Sequence, residues 1–156
     1  MHAAMMALFL MAQAQVHVFE FKQVSSDKNL FEITTAIRSV TDISTLMADA
    51  GKRSLTIKSG DPAQMALAEW LVKTLDVAAP GVGSAEYKYS GGGDESVVRV
   101  YFLGASGDVK SLHALATKVR TVSGVRRLFA VGEQQALVVR GTAEQVAQAG
   151  EVVEGK

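Results

Sequence analysis

Between Val16 and Lys22 the side chains alternate, Phe19 and Phe21 on one face and Val18 and Glu20 on the other, which predicts a strand. The period then changes. Leu30, Ile33, Ile37 and Val40 recur at three- and four-residue steps and predict a helix with one buried stripe, opened by the capping oxygens of Ser25, Ser26 or Asp27. Ser44 to Ala48 and Arg53 to Lys58 return to the strand period, with Leu55 and Ile57 pointing one way and Asp49 to Lys52 supplying a hairpin turn. A second helix follows, in which Asp61 caps, Pro62 takes the first helical position and Gln64 completes a box-like start. Its apolar face is Met65, Ala68, Leu71, Val72 and Leu75, with Trp70 beside it.

The same order then recurs. Arg120, Val122 and Leu128 follow Arg38, Val40 and Leu46 by 82 residues, and Leu137 follows Leu55 by the same interval. Gly141, Gln145, Ala147 and Ala149 follow Gly60, Gln64, Ala66 and Ala68 by 81, so one residue is dropped after Leu137. The first helical stripe reappears as Leu112, Leu115, Val119 and Val122, and the hairpin as Arg126 to Val131 and Ala136 to Arg140 around Gly132 to Gln135. Thr142 and Gln145 form a Thr-x-x-Gln capping box, and Val146, Ala149, Val152 and Val153 the apolar face of a shorter last helix weakened by Gly150. Self-similarity of this kind marks two copies of one supersecondary unit.

The expected fold class is therefore α+β: two tandem βαββα repeats, each a small sheet with two helices packed on one face. The repeats take residues 15–79 and 97–156, with a connecting hairpin over 80–96 that contains an added strand at Glu86 to Tyr89 and a loose turn at Gly91 to Asp94. The runner-up is a ferredoxin-like βαββαβ arrangement in which that added strand closes the first unit. Units of this size bury a modest core and are expected to support one another.

Composition narrows the function classes. Sixteen basic and sixteen acidic side chains cancel, which removes the usual electrostatic reason to expect nucleic acid or an anionic membrane as main partner. No cysteine is present, so disulfides, thiol nucleophiles and cysteine metal sites are excluded. The apolar run Ala3 to Met11, which holds three of the methionines, followed by Ala12-Gln13-Ala14, reads as a signal peptide over residues 1–14, although no Lys or Arg precedes it. It is too short to span a bilayer, and no membrane-spanning segment is expected after its cleavage. Export, to the periplasm, is the expectation; without cleavage the chain would be cytoplasmic.

Catalytic patterns are missing. His2, His17 and His113 have no metal-ligand spacing; His2 would leave with the signal segment, and His17 and His113 are read as surface or half-buried polar residues, while the chain has no GxSxG elbow and no paired carboxylates at a telling interval. Gly81-Val82-Gly83 and Gly91 to Gly93 sit in the wrong context for a nucleotide loop and are read as turns. Gly104 to Gly107 matches the bare GxxG of KH domains, but a strand precedes it where a helix is required. No enzyme activity and no cofactor are expected. A mild basic cluster, Lys118, Arg120, Arg126, Arg127 and Arg140, remains; Arg120, Arg126, Arg127 and Arg140 are the candidate interaction surface.

A helix ending Ile-Arg-Ser-Val-Thr-Asp-Ile or Val-Arg-Thr-Val-Ser-Gly-Val, a hairpin ending Leu-Thr-Ile-Lys-Ser-Gly or Leu-Val-Val-Arg-Gly-Thr, and a helix opening Ala-Gln-Met-Ala or Glu-Gln-Val-Ala resemble the periplasmic N-terminal domains of secretins. The likeness covers residues 16–76 and 97–153. Val-Val-Arg-Val-Tyr-Phe-Leu also resembles an uncharacterised bacterial family of exported paired-repeat proteins. What the secretin resemblance implies is βαββα modules that stack and contact partner proteins; with no barrel-forming region in the sequence, pore formation is not implied. The expected function is a non-enzymatic envelope interaction or scaffold module whose partner is another protein or a second copy. The alternatives are a KH-like single-stranded nucleic-acid binder and a small ligand-binding protein.

Overall fold

A computed structural model describes residues 14–78, 81–104 and 108–155. All but the last residue of the expected signal peptide, and all but the first residue of the GxxG stretch, lie outside them. Strand β1 is Gln15–Glu20, helix α1 Asp27–Thr41, β2 Thr45–Asp49, β3 Ser54–Ser59 and α2 Pro62–Leu75. The second unit is β5 Val97–Leu103, α3 Val109–Ser123, β6 Arg127–Val131, β7 Ala136–Gly141 and α4 Ala143–Val153, preceded by an extra strand, β4, at Val82–Lys88.

The local signals act where the side chains place them. Ser26 Oγ accepts from the Asn29 amide and Asp61 from that of Ala63, while Thr142 and Gln145 form a full reciprocal capping box. Gln64 does not close such a box; its carbonyl accepts from Ser59 Oγ at 2.9 Å, and the Asp61 amide donates to that same hydroxyl at 3.1 Å. Even the backbone strains repeat at the 82-residue interval: Asp42 and Gly124 are left-handed helix caps (φ 63° and 74°), and Arg53 and Gln135 hold positive φ in the two hairpins (49° and 48°).

Two antiparallel sheets result, ordered β1-β3-β2 and β4-β5-β7-β6. Their registers match. Val18 faces Thr56 and Thr56 faces Met47 in the first sheet; Val100 faces Val138 and Val138 faces Phe129 in the second. Strand β4 pairs with β5 along its whole length, so the connecting segment extends the second sheet and does not close the first, which sets aside the ferredoxin-like runner-up.

Helices α1 and α2 pack on their own sheet and also against the far face of the second one, where α1 lies on β6 and β7. The molecule is thus four layers: first sheet, α1 and α2, second sheet, α3 and α4. One core joins Leu30, Ile37, Leu55 and Leu71 to Val98, Val100, Val131 and Val138; a separate one holds Val97, Leu112, Val119, Leu137 and Val139. This explains why β7 is buried at every position while β3 alternates more nearly as a one-faced strand does.

The duplicated stripe is consequently not buried alike in both copies. Leu30 and Leu112 are both sealed, as are Ile37 and Val119. Val40 is buried whereas its counterpart Val122 is 55% exposed, since among the described residues no further sheet covers α3.

Candidate functional site: a bare sheet face and a clasped arginine

Because opposed residues in an antiparallel pair share a face, the register places Val16, Val18 and Glu20 of β1 beside Thr56 and Lys58 of β3 and Thr45, Met47 and Asp49 of β2. This is the face turned away from α1 and α2. Nothing in the chain's described residues covers it: Val16, Val18 and Met47 are 58%, 61% and 66% exposed. Lys58 is exposed and has no charged partner among the described residues, while Glu20 and Asp49 stand at the opposite end of the face. Three large apolar side chains on one small sheet, rimmed by charge, have the composition of a contact surface. Strands β1 and β2 are also the two edges of this sheet.

The four candidate arginines separate into two kinds. Arg120 and Arg126 are exposed. Arg140 is only 4% exposed and fully committed. Its Nε donates to the Glu95 carbonyl at 2.8 Å, Nη1 to the Val40 carbonyl at 2.8 Å and to Asp42 at 3.3 Å, and its guanidinium lies 4.7 Å from the Tyr89 ring centre. Arg127 bridges Asp42 and Glu95, the latter at 3.3 Å, and Glu95 also takes Arg126 at 3.4 Å. Burial works against the charge on Arg127, but its hydrogen bonds with Asp42 and Glu95 prevail and hold its pKa above the ordinary arginine value. Arg140 is therefore not part of a surface; it is a tie between the C-terminal end of α1, the Gly92 turn and β7.

A second tie holds the other end of α1. Asn29 and Gln134 exchange amide hydrogen bonds of 2.6 and 2.9 Å, the Glu32 carboxylate accepts from the Gly132 amide at 3.1 Å, and Ser26 donates to Glu133. With both ends of α1 fixed to the second unit, the two repeats form a double module that presents its outer faces as one body. No sequence motif marks these contacts, although the buried-run character of β7 hints that both faces of that strand are covered.

Other chemistry is sparse among the described residues. No group of His, Asp and Glu there is placed to hold a metal ion, and no helix is long and apolar enough to cross a membrane. His17 and His113 are exposed. An open trough of about 370 Å³ runs beside Arg99, Tyr101 and Glu154. In it Arg99 pairs with Glu86, and the Tyr101 hydroxyl donates to the Val146 carbonyl at 2.9 Å. Burial raises the Tyr101 pKa, so the phenol is kept as a neutral donor.

No protein-family profile matches the chain, and no curated protein is significantly similar to it in sequence. Among the solved structures similar to it are chains of secretins. The N-terminal domain of the secretin XcpQ from Pseudomonas aeruginosa shares 15% identity at a TM-score of 0.38, over 91% of this chain and 61% of that one. The secretin in the ETEC pilotin–secretin AspS–GspD complex shares 18% at 0.39 over 98% of this chain, and Aeromonas hydrophila ExeD shares 18% at 0.33 over 92%. The chain spans 61% of the XcpQ fragment and 26% and 27% of the latter two.

Proposed function

We propose that the chain is an exported, non-enzymatic scaffold module of the cell envelope, a rigid double βαββα unit that works by contact with another protein. The observation that carries this reading is the outer face of the first sheet, where Val16, Val18 and Met47 stand exposed on a scaffold whose other polar ties are internal. Of the candidate arginines, Arg120 and Arg126 are exposed, Arg126 in an ion pair with Glu95, and both belong to the second unit; the charges that rim the first-sheet face are Lys58, Glu20 and Asp49. The nucleic-acid alternative loses support, since Arg127 and Arg140 are tied up by Asp42 and Glu95.

The test is photo-crosslinking in the producing cell from positions 18 and 47, with position 110 on α3 as control, combined with fractionation and sequencing of the N-terminus. Discrete adducts from the sheet face, none from the control, and an envelope-located chain beginning near Gln15 are expected. Absence of adducts from a strictly monomeric chain, or recovery of the intact chain in the cytosol, overturns the reading.

A further inference from the structure

The outer face of the first sheet has a counterpart inside the molecule whose occupant is known. Shifted by 82 residues, Val16, Val18, Met47 and Thr56 become Val98, Val100, Phe129 and Val138, and these form the face on which α1 and α2 lie. The registers agree pair by pair. In the second unit this face clamps α1 at both ends: Gln134 holds Asn29 near the helix start, and Arg140 takes the Val40 carbonyl and Asp42 at its finish. The corresponding posts on the first sheet are Lys52 and Lys58, both exposed and both lacking a charged partner among the described residues.

We propose that this face is a docking surface for a helix pair of a different protein, seated on the first sheet as α1 and α2 are seated on the second. The inference rests on the contact function proposed above and specifies the surface and the occupant. The principal helix of that partner is about four turns long, like α1, with small apolar residues at its centre. It carries a carboxylate in its first turn to meet Lys52, and a carbonyl or carboxylate at its C-terminal end to meet Lys58. The acid at the amino end, and the Lys58 ammonium set against the last carbonyls at the carboxyl end, also suit the helix dipole.

A second copy of this chain does not meet these terms. The outer surface of α3 and α4 carries Lys118, Glu144, Gln148 and Glu151 at the places where α1 and α2 carry Ala36, Ala63, Leu67 and Trp70. Lys118 would stand at the centre of the contact, on the face that Lys58 overlooks. Stacking therefore stops at the helix end of the molecule and stays open at the sheet end.

The experiment uses the isotope-labelled full chain and, as probe, a synthetic α1 peptide of residues 26–43, held helical by a bridge between positions 31 and 35. Saturable amide shifts confined to β1, β2 and β3 on the outer face are expected, at least tenfold weaker binding for the Lys58→Glu chain, and none for a peptide carrying Ala36→Lys. Shifts elsewhere, no saturable shifts, or equal binding of the A36K peptide overturn the proposal. So does a concentration-dependent dimer in sedimentation that Val18→Lys abolishes, which would make a second copy the occupant. Unchanged spectra away from the face show that each variant is folded. Failure here leaves the cellular crosslinking result standing, because a partner bound along the β1 or β2 edge would still give adducts.

Discussion

Val18 and Val100 hold the same position in two copies of one unit, each opposite β3 or its equivalent β7, yet Val100 is completely buried and Val18 is 61% exposed. The difference comes from what surrounds them: α1 and α2 cover Val100, whose strand is also flanked by β4, whereas Val18 lies on an edge strand and none of the described residues covers it.

Paired substitutions make this measurable. Val98→Asp places a carboxylate in the shared core and is expected to cost at least about 4 kcal/mol, enough to unfold a marginal chain. Val16→Asp, its repeat counterpart at 58% exposure, is expected to stay within about 0.5 kcal/mol of the parent. Urea denaturation of the two variants decides the matter, and equal costs would contradict the layer order.

Arg140 should be the most sensitive polar residue. Removing it in Arg140→Met strips partners from the Val40 and Glu95 carbonyls and from Asp42, for an expected loss of about 3 kcal/mol. Arg140→Lys is expected to recover less than half of this, because an ammonium cannot reproduce the guanidinium fork. Gly92→Ala should act through the same tie, since an added Cβ would collide with the Glu95 carbonyl and approach Arg140 Nη2 to 2.9 Å. Thermal midpoints of the three variants, measured side by side, check the order.

The asymmetry of the two helix layers predicts a second contrast. Ala36 lies on the α1 stripe defined by Asn29, Glu32 and Val40, whose groups bond the second unit, and it is fully buried. Ala36→Lys is expected to cost roughly 3 kcal/mol or more by forcing the layers apart. Lys118→Ala at the matching position of α3 is expected to be neutral to slightly stabilising, by about 0.5 kcal/mol at most. Chemical denaturation of both variants tests the pair.

Glu86 supplies a pH marker on the added strand. Its hydrogen bond from Arg99, with the charges of Arg99 and Lys88, holds its carboxyl below the ordinary value of 4.5 against a smaller opposing effect of burial. A depressed carboxylate contributes stability that is complete above its unfolded value and is lost as the pH falls through the folded one, so the effect belongs to the range below 4.5. Carboxyl NMR titration should place the midpoint below 4.5, and Arg99→Gln should raise it from that depressed position. The group is largely solvated, so the accompanying change in global stability is expected to be small.

Much of the architecture was legible before any coordinates. The two periods of the apolar pattern identify strands and helices, Ser26, Asp61 and Thr142 mark helix starts, and the 82-residue echo announces two copies of one unit, because these are local consequences of side-chain direction and of unpaired backbone amides. What only the tertiary structure decided is which copy covers which. Arg140, read along the chain as one of four surface cations, proved to be a buried tie, and Val122, read as core by analogy with Val40, proved exposed. The reason is physical: periodicity records that a face is apolar, whereas the neighbour that shields it, or its absence, is set by contacts between residues about a hundred positions apart, such as Asn29 with Gln134 and Val40 with Arg140.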